Sequence, residues 1–326
     1  MKTKDIFSCV AVILCIVAAA WLPVIGAVFT LAGAAVCGLL YVRRGWYPVI
    51  LCAVLGAAAA FALTQNGLTA LMLTFGVVVP GCAMMAVWKK QLGMKEIVTA
   101  GTVGFLAQTM LEFGIIKLLT GKNIFSEMLA GMQNNIDTIL PQFRKILETN
   151  GAADVEESMQ ALSQMYNDLI ETVSQLIPAI LFIICCVMAY IVLCVSVTFL
   201  RRGGQDTSKI TSFTDLHAPR SVAVAVIITF AISLFIPQIV IRGAALNITM
   251  VLFAYFIVCG ISLLCFFLKR LFPRVLLRTL IAIPMVMVLL SMMALPVFNP
   301  IQLFLLAGIV DSAFHLRRLA RRSDVF

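Results

Sequence analysis

Two carboxylates stand inside long apolar stretches of this 326-residue chain, where a charged side chain is costly to place in lipid. Glu112 lies in the stretch 97–119, and Asp311 lies in the stretch 300–316. A carboxylate at such a position can bind a substrate, take up a cation or carry a proton. It can also pair with a basic side chain for structural reasons alone, so each residue must be judged by its neighbours.

Glu112 shares one helical stripe with small and polar residues. At spacings of three and four residues, the stripe contains Gly101, Gly104, Gln108, Glu112 and Ile115. Glycine lets a neighbouring helix approach closely, and Gln108 adds a second hydrogen-bonding side chain. The stripe therefore predicts an inward-facing helix surface on which Gln108 and Glu112 bind a substrate. The structural alternative is an interhelical hydrogen bond or ion pair, for example with Lys117 or Arg242.

Asp311 lies near one end of its stretch. It precedes His315 by four residues and Arg317 by six, so it is about 9 Å from the basic cluster along a helix axis. The spacing places Asp311 and His315 on one face of a predicted helix. We predict that Asp311 is a third substrate-binding residue, at a cytoplasmic gate or a contact with a partner subunit. A structural pair with His315 or with an arginine is the other interpretation.

The elements that must position these residues are membrane spans. Hydrophobic residues make up 62% of the chain and charged residues only 12%, against about a quarter charged in soluble domains. A span needs about 20 apolar residues, because the hydrocarbon layer is about 30 Å thick. The composition predicts an all-α, polytopic transmembrane helical bundle of about ten spans. These are Ile6–Trp21, Val24–Tyr41, Tyr47–Leu63, Leu68–Val87, Ile97–Leu119, Gln175–Leu200, Ser221–Ile241, Leu246–Leu268, Val275–Leu295 and Pro300–Leu316.

The basic residues predict the orientation of these spans. Nineteen of the 24 lysines and arginines fall into six clusters, which occupy every second gap between predicted spans. The positive-inside rule then predicts a protein of the plasma membrane with both termini in the cytoplasm. The basic residues behind the net charge of +9 are then expected to interact with anionic head groups of the lipid bilayer, so the bilayer is the expected partner and no nucleic acid is expected. The clusters are Lys2 and Lys4; Arg43 and Arg44; Lys89, Lys90 and Lys95; Arg201, Arg202, Lys209 and Arg220; Lys269, Arg270, Arg274 and Arg278; and Arg317, Arg318, Arg321 and Arg322.

The first span has a second interpretation as a cleaved signal peptide. Lys2 and Lys4 form a basic start, and Ala18 and Ala20 supply a small-residue cleavage pattern. We favour an uncleaved helix, because the apolar sequence resumes at Val24 after a hairpin-like gap.

Residues 120–174, here called the outer hairpin, depart from the membrane pattern. They carry eight acidic residues, and their apolar residues recur at helical spacing in two runs. This predicts two amphipathic helices joined at Asn150 and Gly151, with Asp154 and Glu157 forming a capping box. The second helix is expected to continue into the sixth span, where Pro178 could bend it. The chain then divides into a five-span region (1–119), the hairpin, and a second five-span region (175–326).

The role of the outer hairpin is open. Its apolar stripes can pack on each other or lie on the membrane surface. They can also form a lid over an outward-facing cavity, or dock an extracytoplasmic partner.

No complete catalytic or metal-binding motif occurs. The ten cysteines all lie inside predicted spans, where they are expected to act as small packing residues, and no C-x-x-C pair is present. His217 and His315 have no Cys/His cluster around them, so neither a zinc site nor another cofactor is expected. An enzyme acting on lipid-linked substrates would need a nucleophile and a base, and no recognisable spacing supplies them. We therefore expect that the protein is not an enzyme.

The whole layout resembles the YybS-like family of bacterial polytopic membrane proteins, a domain of unknown function. The resemblance rests on the Gly/Ala-rich early hairpins, the acidic outer hairpin before the sixth span, and the closing run from Gly308 through Asp311 to Arg317 and Arg318. That family is distantly similar to the S components of energy-coupling-factor transporters, although an S component typically has about six spans. The resemblance implies capture of a small molecule from outside and coupling to other membrane subunits. We predict small-molecule transport or substrate capture. The alternative is a non-transporting assembly or regulatory protein that binds envelope partners through the outer hairpin.

Overall fold

The computed structural model describes residues 3–22, 25–149, 154–236, 238–272 and 300–322. Every regular element in these ranges is helical, which confirms the all-α class. The predicted ninth span, 275–295, and the predicted turn at 150–151 lie outside the described residues. The α-helices are α1 (Thr3–Trp21), α2 (Gly26–Arg44), α3 (Trp46–Thr64), α4 (Gly67–Lys89), α5 (Met94–Thr120), α6 (Ile124–Thr149), α7 (Val155–Arg202), α8 (Arg220–Phe235), α9 (Ile239–Leu271), α10 (Pro300–Phe314) and α11 (Leu316–Arg322).

Six of these helices are long and apolar enough to cross a membrane, namely α2, α3, α4, α5, α7 and α9. The apolar parts of α1, α8 and α10 are shorter. Large apolar side chains such as Val28, Val54 and Leu71 are exposed on the spanning helices, as expected where a surface faces lipid rather than water. The multi-pass membrane class is therefore confirmed, whereas the number of about ten spans and their orientation stay predictions.

Contacts between residues divide the chain into two compact units. Unit 1 comprises Met1–Ile177 and Leu181–Lys209, and unit 2 comprises Pro178–Ile180 and Ile210–Phe326. Most of α7 belongs to unit 1, and only the three residues from Pro178 belong to unit 2.

Short links shape the first four helices of unit 1. Gly45 alone joins α2 to α3 with φ of 80° and ψ of −160°, a conformation that favours glycine because no Cβ interferes. Asn66 begins α4 by accepting hydrogen bonds at Oδ1 from the N–H groups of Leu68 and Thr69, at 3.0 and 3.2 Å. These links bring the four helices together around a buried apolar core that includes Ile16 and Val77.

Glycines allow α2 and α4 to approach at backbone distance. A Cβ at Gly81 would overlap the carbonyl oxygen of Ala34, and one at Gly38 would lie 2.6 Å from the carbonyl oxygen of Gly81. Close approach of this kind increases van der Waals contact, which drives helix association in lipid. The early Gly/Ala-rich hairpins thus act as packing surfaces.

The helix α7 is continuous over 48 residues, which corresponds to about 72 Å at 1.5 Å per residue. This confirms that the second hairpin helix runs into the sixth span, and Pro178 lies inside it without ending it. The predicted capping box is wrong, because Asp154 occupies the N-cap position but its side chain makes no capping hydrogen bond. An ion pair of 2.8 Å between Arg144 and Glu156 joins α6 to the start of α7.

The boundary between the seventh and eighth predicted spans is wrong. The helix α8 ends at Phe235 and α9 begins at Ile239. The break between these helices thus comes about six residues earlier in the chain than the predicted break, which begins at Arg242. Pro237 explains the shift, because the residue before a proline is driven out of the helical conformation, and Ile236 has φ of −93° and ψ of 118°. Arg242 therefore lies exposed in the first turn of α9 rather than between two helices.

Candidate functional sites

One face of α5 packs on α4 around Pro80, which lies inside that continuous helix. A Cβ at Gly104 would lie 3.0 Å from Pro80 Cα, and one at Gly76 would lie 3.0 Å from Gln108 Nε2. Gly104 is buried and Gln108 is half-buried. Gln108 therefore contacts the turn of α4 that precedes the proline.

At this position the Gln108 side chain lies beside a backbone carbonyl of α4 that lacks its usual helical donor, in addition to its predicted role in substrate binding. Proline has no N–H, so the carbonyl of Gly76, four residues before Pro80, loses its helical donor. The Gln108 side chain brings a polar amide to the same turn. In membrane helices, side chains of neighbouring helices commonly compensate such freed backbone groups.

Glu112 lies one turn beyond Gln108 on the same helix face and is half-buried. Within the described part of unit 1 it makes no hydrogen bond and no ion pair, so Lys117 is not its partner, whereas the alternative pairing with Arg242, which belongs to unit 2, stays a prediction. Glu112 is thus a carboxylate within a membrane-spanning helix without a compensating side chain among the described residues of unit 1.

A second amide stands beside a second helix proline, in unit 2. Asn247 of α9 accepts a hydrogen bond at Oδ1 from the N–H of Ala179, at 3.0 Å, and donates from Nδ2 to the carbonyl of Gly243, at 2.8 Å. Ala179 directly follows Pro178 in α7. The side chain of a neighbouring helix thus takes up a backbone donor beside the proline, which stabilises an uninterrupted α7.

Asp311 forms a buried ion pair with Arg317. Arg317 Nε lies 3.1 Å from Asp311 Oδ2, and the two side chains are only 8% and 3% exposed. The predicted pairing of Asp311 with His315 on one helix face is wrong, because α10 ends at Phe314 and His315 adopts a left-handed φ of 52°. The chain turns there, and α11 brings Arg317 back to Asp311. Of the interpretations open for Asp311, the structural pair with an arginine is the one observed.

The guanidinium of Arg317 also binds the backbone of two other segments. Nη1 donates to the carbonyl of Thr214, at 2.8 Å, and Nη2 donates to the carbonyl of Cys259 in α9, at 3.2 Å. The Nε–H is close enough to Asp311 for an ion pair, but it is not directed at an acceptor as a hydrogen bond. A planar fork with several donors suits this arrangement, which a lysine could not reproduce.

Side chains of α9 and α10 hold the loop that precedes α8. Ser262 Oγ donates to the carbonyls of Phe213 and Leu216, and Ser312 Oγ donates to the carbonyl of Pro219, at 3.2 Å. Tyr255 adds a hydrogen bond of 3.3 Å to the carbonyl of His217. Sequence reasoning missed these residues, because a serine or tyrosine in an apolar helix more often bonds within its own helix or faces the bilayer interface.

A cavity of about 370 Å³ adjoins this cluster. It is lined by Thr211, Asp215, His217, Asp311, His315, Arg317 and Arg318. His217 Nδ1 lies 3.0 Å from the carbonyl oxygen of Asp215, so Nδ1 carries the hydrogen and Nε2 stays available to a ligand. The cavity thus presents hydrogen-bonding groups and charges of both signs.

The predicted site residues fall into two separate groups. Gln108 and Glu112 belong to α5 of unit 1, and Asp311 belongs to unit 2. In the part of the chain that the structure describes, no group of three or more His, Cys, Asp or Glu residues is placed to hold a metal ion. Each unit thus contains its own candidate residues, and each is described by itself.

Ion pairs lie at both ends of α6 in the outer hairpin, and apolar residues of this helix are exposed. Lys122 Nζ lies 2.8 Å from Glu127 Oε1, and this hydrogen bond raises the pKa of Lys122 above its ordinary value. In α6, Ile136 is buried, whereas Phe143 and Ile146 are exposed. The apolar stripe of α6 is therefore only partly covered within the described structure.

The fold and these sites define a multi-pass helical membrane protein with polar residues at selected points in its spans. A family model described as "Predicted membrane protein (DUF2232)" matches residues 9–311. The chain belongs to this family, which confirms the predicted class of membrane protein with a domain of unknown function. No curated protein and no solved structure matches the chain. The likeness to YybS-like proteins and to S components stays a resemblance.

Proposed function

We propose that this membrane protein transports or captures a small molecule, and that Glu112 binds it. The observation that carries the proposal is the Glu112 carboxylate, which lies within a spanning helix and has no partner among the described residues of unit 1. A charge in this environment is expensive unless a ligand, a cation or a proton compensates it. The resemblance to S components supports the same class of function.

The neighbours of Glu112 suggest how the ligand is recognised. A carboxylate accepts hydrogen bonds or pairs with a cationic group, and Gln108 one turn away can both donate and accept. A small molecule with a cationic or hydrogen-bond-donating group fits this pair. In this proposal Asp311 acts indirectly, by holding Arg317 at the other site. The protein binds and moves its ligand without catalysing a reaction, in keeping with a sequence that lacks a paired nucleophile and base.

The Glu112→Gln variant tests this function. The purified full chain is screened by thermal unfolding against vitamins, metal ions, nucleosides and lipid precursors. A ligand present at 100 times its Kd should stabilise the wild-type protein by about 2.7 kcal/mol. We expect the stabilising compound to lose its effect on Glu112→Gln, because the neutral amide keeps the shape of the side chain but removes its charge.

Glu157→Gln is the matched control, since it makes the same change at a solvent-exposed position in the outer part of α7. It should respond to the compound as the wild-type protein does. If no compound stabilises the protein, or if Glu112→Gln still responds fully, Glu112 is not a ligand site.

The outer hairpin supports a second candidate function, the binding of an envelope partner. Residues 120–174 carry eight acidic residues against three basic ones, and Phe143 and Ile146 are exposed on α6. A partner with a basic rim and an apolar centre would complement this surface.

A double variant, Phe143→Ser with Ile146→Ser, tests the second candidate. It should abolish a stoichiometric complex isolated from native membranes and leave the thermal stability of the isolated protein nearly unchanged, because both side chains are already exposed. Gln142→Ser, at the exposed neighbouring position, is the control and should keep the complex. A complex that survives the double variant would contradict this role of the hairpin.

A further inference from the structure

Positively charged residues of unit 1 gather where α2, α4 and α7 end. Lys89 at the end of α4 donates from Nζ to the carbonyl of Tyr41 in the last turn of α2, at 3.1 Å. A Cβ at Gly203, directly after α7, would lie 3.8 Å from Nη2 of Arg43 in α2. The ends of these three helices therefore form one surface within a single compact unit.

This surface, made of residues 43–47, 89–96 and 201–209, is here called the basic end. Lys209 Nζ joins the segment after α7 to the segment after α4 by donating to the carbonyl of Gln91, at 2.8 Å. The basic end carries eight cationic side chains, all exposed, and two carboxylates. The cations are Arg43, Arg44, Lys89, Lys90, Lys95, Arg201, Arg202 and Lys209, and the carboxylates are Glu96 and Asp206.

The positive charge of the basic end exceeds what its own groups can neutralise. The three segments contain six more cations than carboxylates, whichever of these side chains pair with one another. Helix dipoles change this balance little. Three of the described helices end at the surface and two begin there, and each terminus carries about half an elementary charge, negative at the end and positive at the start.

The acidic residues elsewhere in the chain are too few to restore the balance. Eight of them belong to the outer hairpin, beyond the far end of α5, Glu112 lies inside α5, and Asp311 is paired with Arg317. Three further acidic residues remain, and if all three lay at this surface, three cations would still be in excess. They are Asp5, Asp215 and Asp324. The basic end therefore needs anions from outside the chain.

Exposed aromatic side chains indicate that the basic end lies at the level of the lipid head groups. Trp46 and Tyr47 begin α3, and they are 53% and 90% exposed. Tryptophan and tyrosine are enriched at membrane–water interfaces, because each combines an apolar ring with a polar N–H or O–H group. The anions nearest to such a surface are the phosphates of phospholipids, which favours a lipid over a soluble acidic protein.

We propose that the basic end binds a phospholipid whose head group carries two phosphodiester groups. One phosphate is held by Arg43 and Arg202, where α2 meets the end of α7. The other is held by Lys89 and Lys90, around the end of α4. Lys89 gives one N–H to the carbonyl of Tyr41, and its ammonium group keeps two further donors.

Two linked phosphates suit this surface better than one. A single phosphodiester carries one negative charge, whereas the excess cations come from three different segments. Once the first phosphate is bound, the second binds as an intramolecular step, which increases affinity without requiring a larger surface. A general attraction between basic residues and anionic lipids would not distinguish such a lipid from one with a single phosphate. The site is separate from Glu112, and the inference does not depend on the transport proposal.

The proposal is tested by titrating cardiolipin, which has two phosphodiester groups, into the purified, delipidated full chain in detergent. Phosphatidylglycerol, which has one, is titrated in parallel at equal total phosphate, and native mass spectrometry counts the bound lipids. We expect one cardiolipin molecule to bind at least about tenfold more tightly than phosphatidylglycerol.

A double variant, Arg43→Gln with Arg202→Gln, removes the cations assigned to one phosphate. It should weaken cardiolipin binding by about 30-fold, since each cation near an anionic head group contributes a factor of about five. Lys117→Gln with Lys145→Gln is the control of equal charge and should leave the affinity unchanged. Lys117 lies in the last turn of α5, about 33 Å from Lys95 along the helix axis, and Lys145 lies in the outer hairpin.

A second variant tests the other phosphate. Lys90→Gln should weaken cardiolipin binding by about fivefold, and it keeps the proposal testable if the double variant does not fold. Both arginines of the double variant are exposed, so its thermal unfolding without lipid should match that of the wild-type protein.

Four results would overturn the proposal. They are equal affinities for cardiolipin and phosphatidylglycerol, full cardiolipin binding by the Lys90 variant and the double arginine variant, an equal loss of affinity in the lysine control, and co-purification of an acidic protein at the basic end in place of lipid. Glu112→Gln should leave cardiolipin binding intact, so a failure here is distinguishable from a failure of the proposed function.

Discussion

Replacing Arg317 with methionine is expected to lower the free energy of unfolding by about 3–5 kcal/mol, as is usual when one partner of a buried ion pair is removed. Asp311 is 3% exposed and would be left as an uncompensated buried charge. The carbonyls of Thr214 and Cys259 would also lose their donors. Each unsatisfied buried group adds to the loss, so the loop before α8 should become the first part of unit 2 to open.

Denaturant titration of the purified protein in detergent measures this loss, and a double variant separates its causes. Asp311→Leu with Arg317→Met removes both charges together, so it should recover much of the stability that the single variant loses. The recovery should be incomplete, because the two carbonyls still lack donors. Arg318→Met is the matched control at an exposed neighbour and should change stability by about 0.5 kcal/mol or less without ligand. A single Arg317 variant as stable as this control would show that the ion pair does not secure the fold.

The second large effect is expected at Gly308, where α10 touches α9. A Cβ at Gly308 would overlap the carbonyl oxygen of Phe256, and one at Gly260 would overlap the carbonyl oxygen of Phe304. The obstacle in each case is backbone, which cannot move aside as a flexible side chain can. Gly308→Ala should therefore separate the two helices and cost about 3 kcal/mol, the upper end for an overpacked core.

Thermal unfolding checks this prediction against a glycine in open space. Gly243 also lies in α9, and a Cβ there would meet nothing within 4 Å. Gly243→Ala should be neutral or stabilising by about 0.5–1 kcal/mol, because alanine loses less entropy in a helix. Gly260→Ala should match Gly308→Ala, and the double variant should lose less than their sum because the helices are already apart. A Gly308 variant as stable as the Gly243 variant would contradict the close contact.

Much of the helical content could be predicted from the sequence because a span is a local property. An apolar run long enough to cross the bilayer defines a helix whatever its neighbours are. The same local pattern predicts that α7 continues from the hairpin into the membrane, as the structure confirms. Boundaries were less predictable. Arg242 interrupts the apolar run, so hydropathy predicts a seventh span that ends at Ile241. The helix ends earlier, at Phe235, because the residue before Pro237 leaves the helical conformation.

The candidate sites were only partly predictable for a related reason. The spacing of Gly104, Gln108 and Glu112 identified a helix face, since residues three and four apart on a helix are neighbours. The contact of Gln108 with the turn before Pro80 depends on how α4 packs against α5. The spacing of residues within α5 therefore could not predict it. The same applies to Ser262 and Ser312, whose partners lie 46 to 93 positions away along the chain.

The sequence by itself determined that this is a multi-pass helical membrane protein, because hydropathy and helix length depend on consecutive residues. It also singled out Glu112 and Asp311 as the carboxylates to explain, because a charge in an apolar run is conspicuous. Only the tertiary structure decided the partner of Asp311. The turn at His315 brings Arg317 back to Asp311, and Arg317 also binds the carbonyl of Thr214, 103 positions away. Contacts between distant segments follow from packing and leave no periodic signal in the chain.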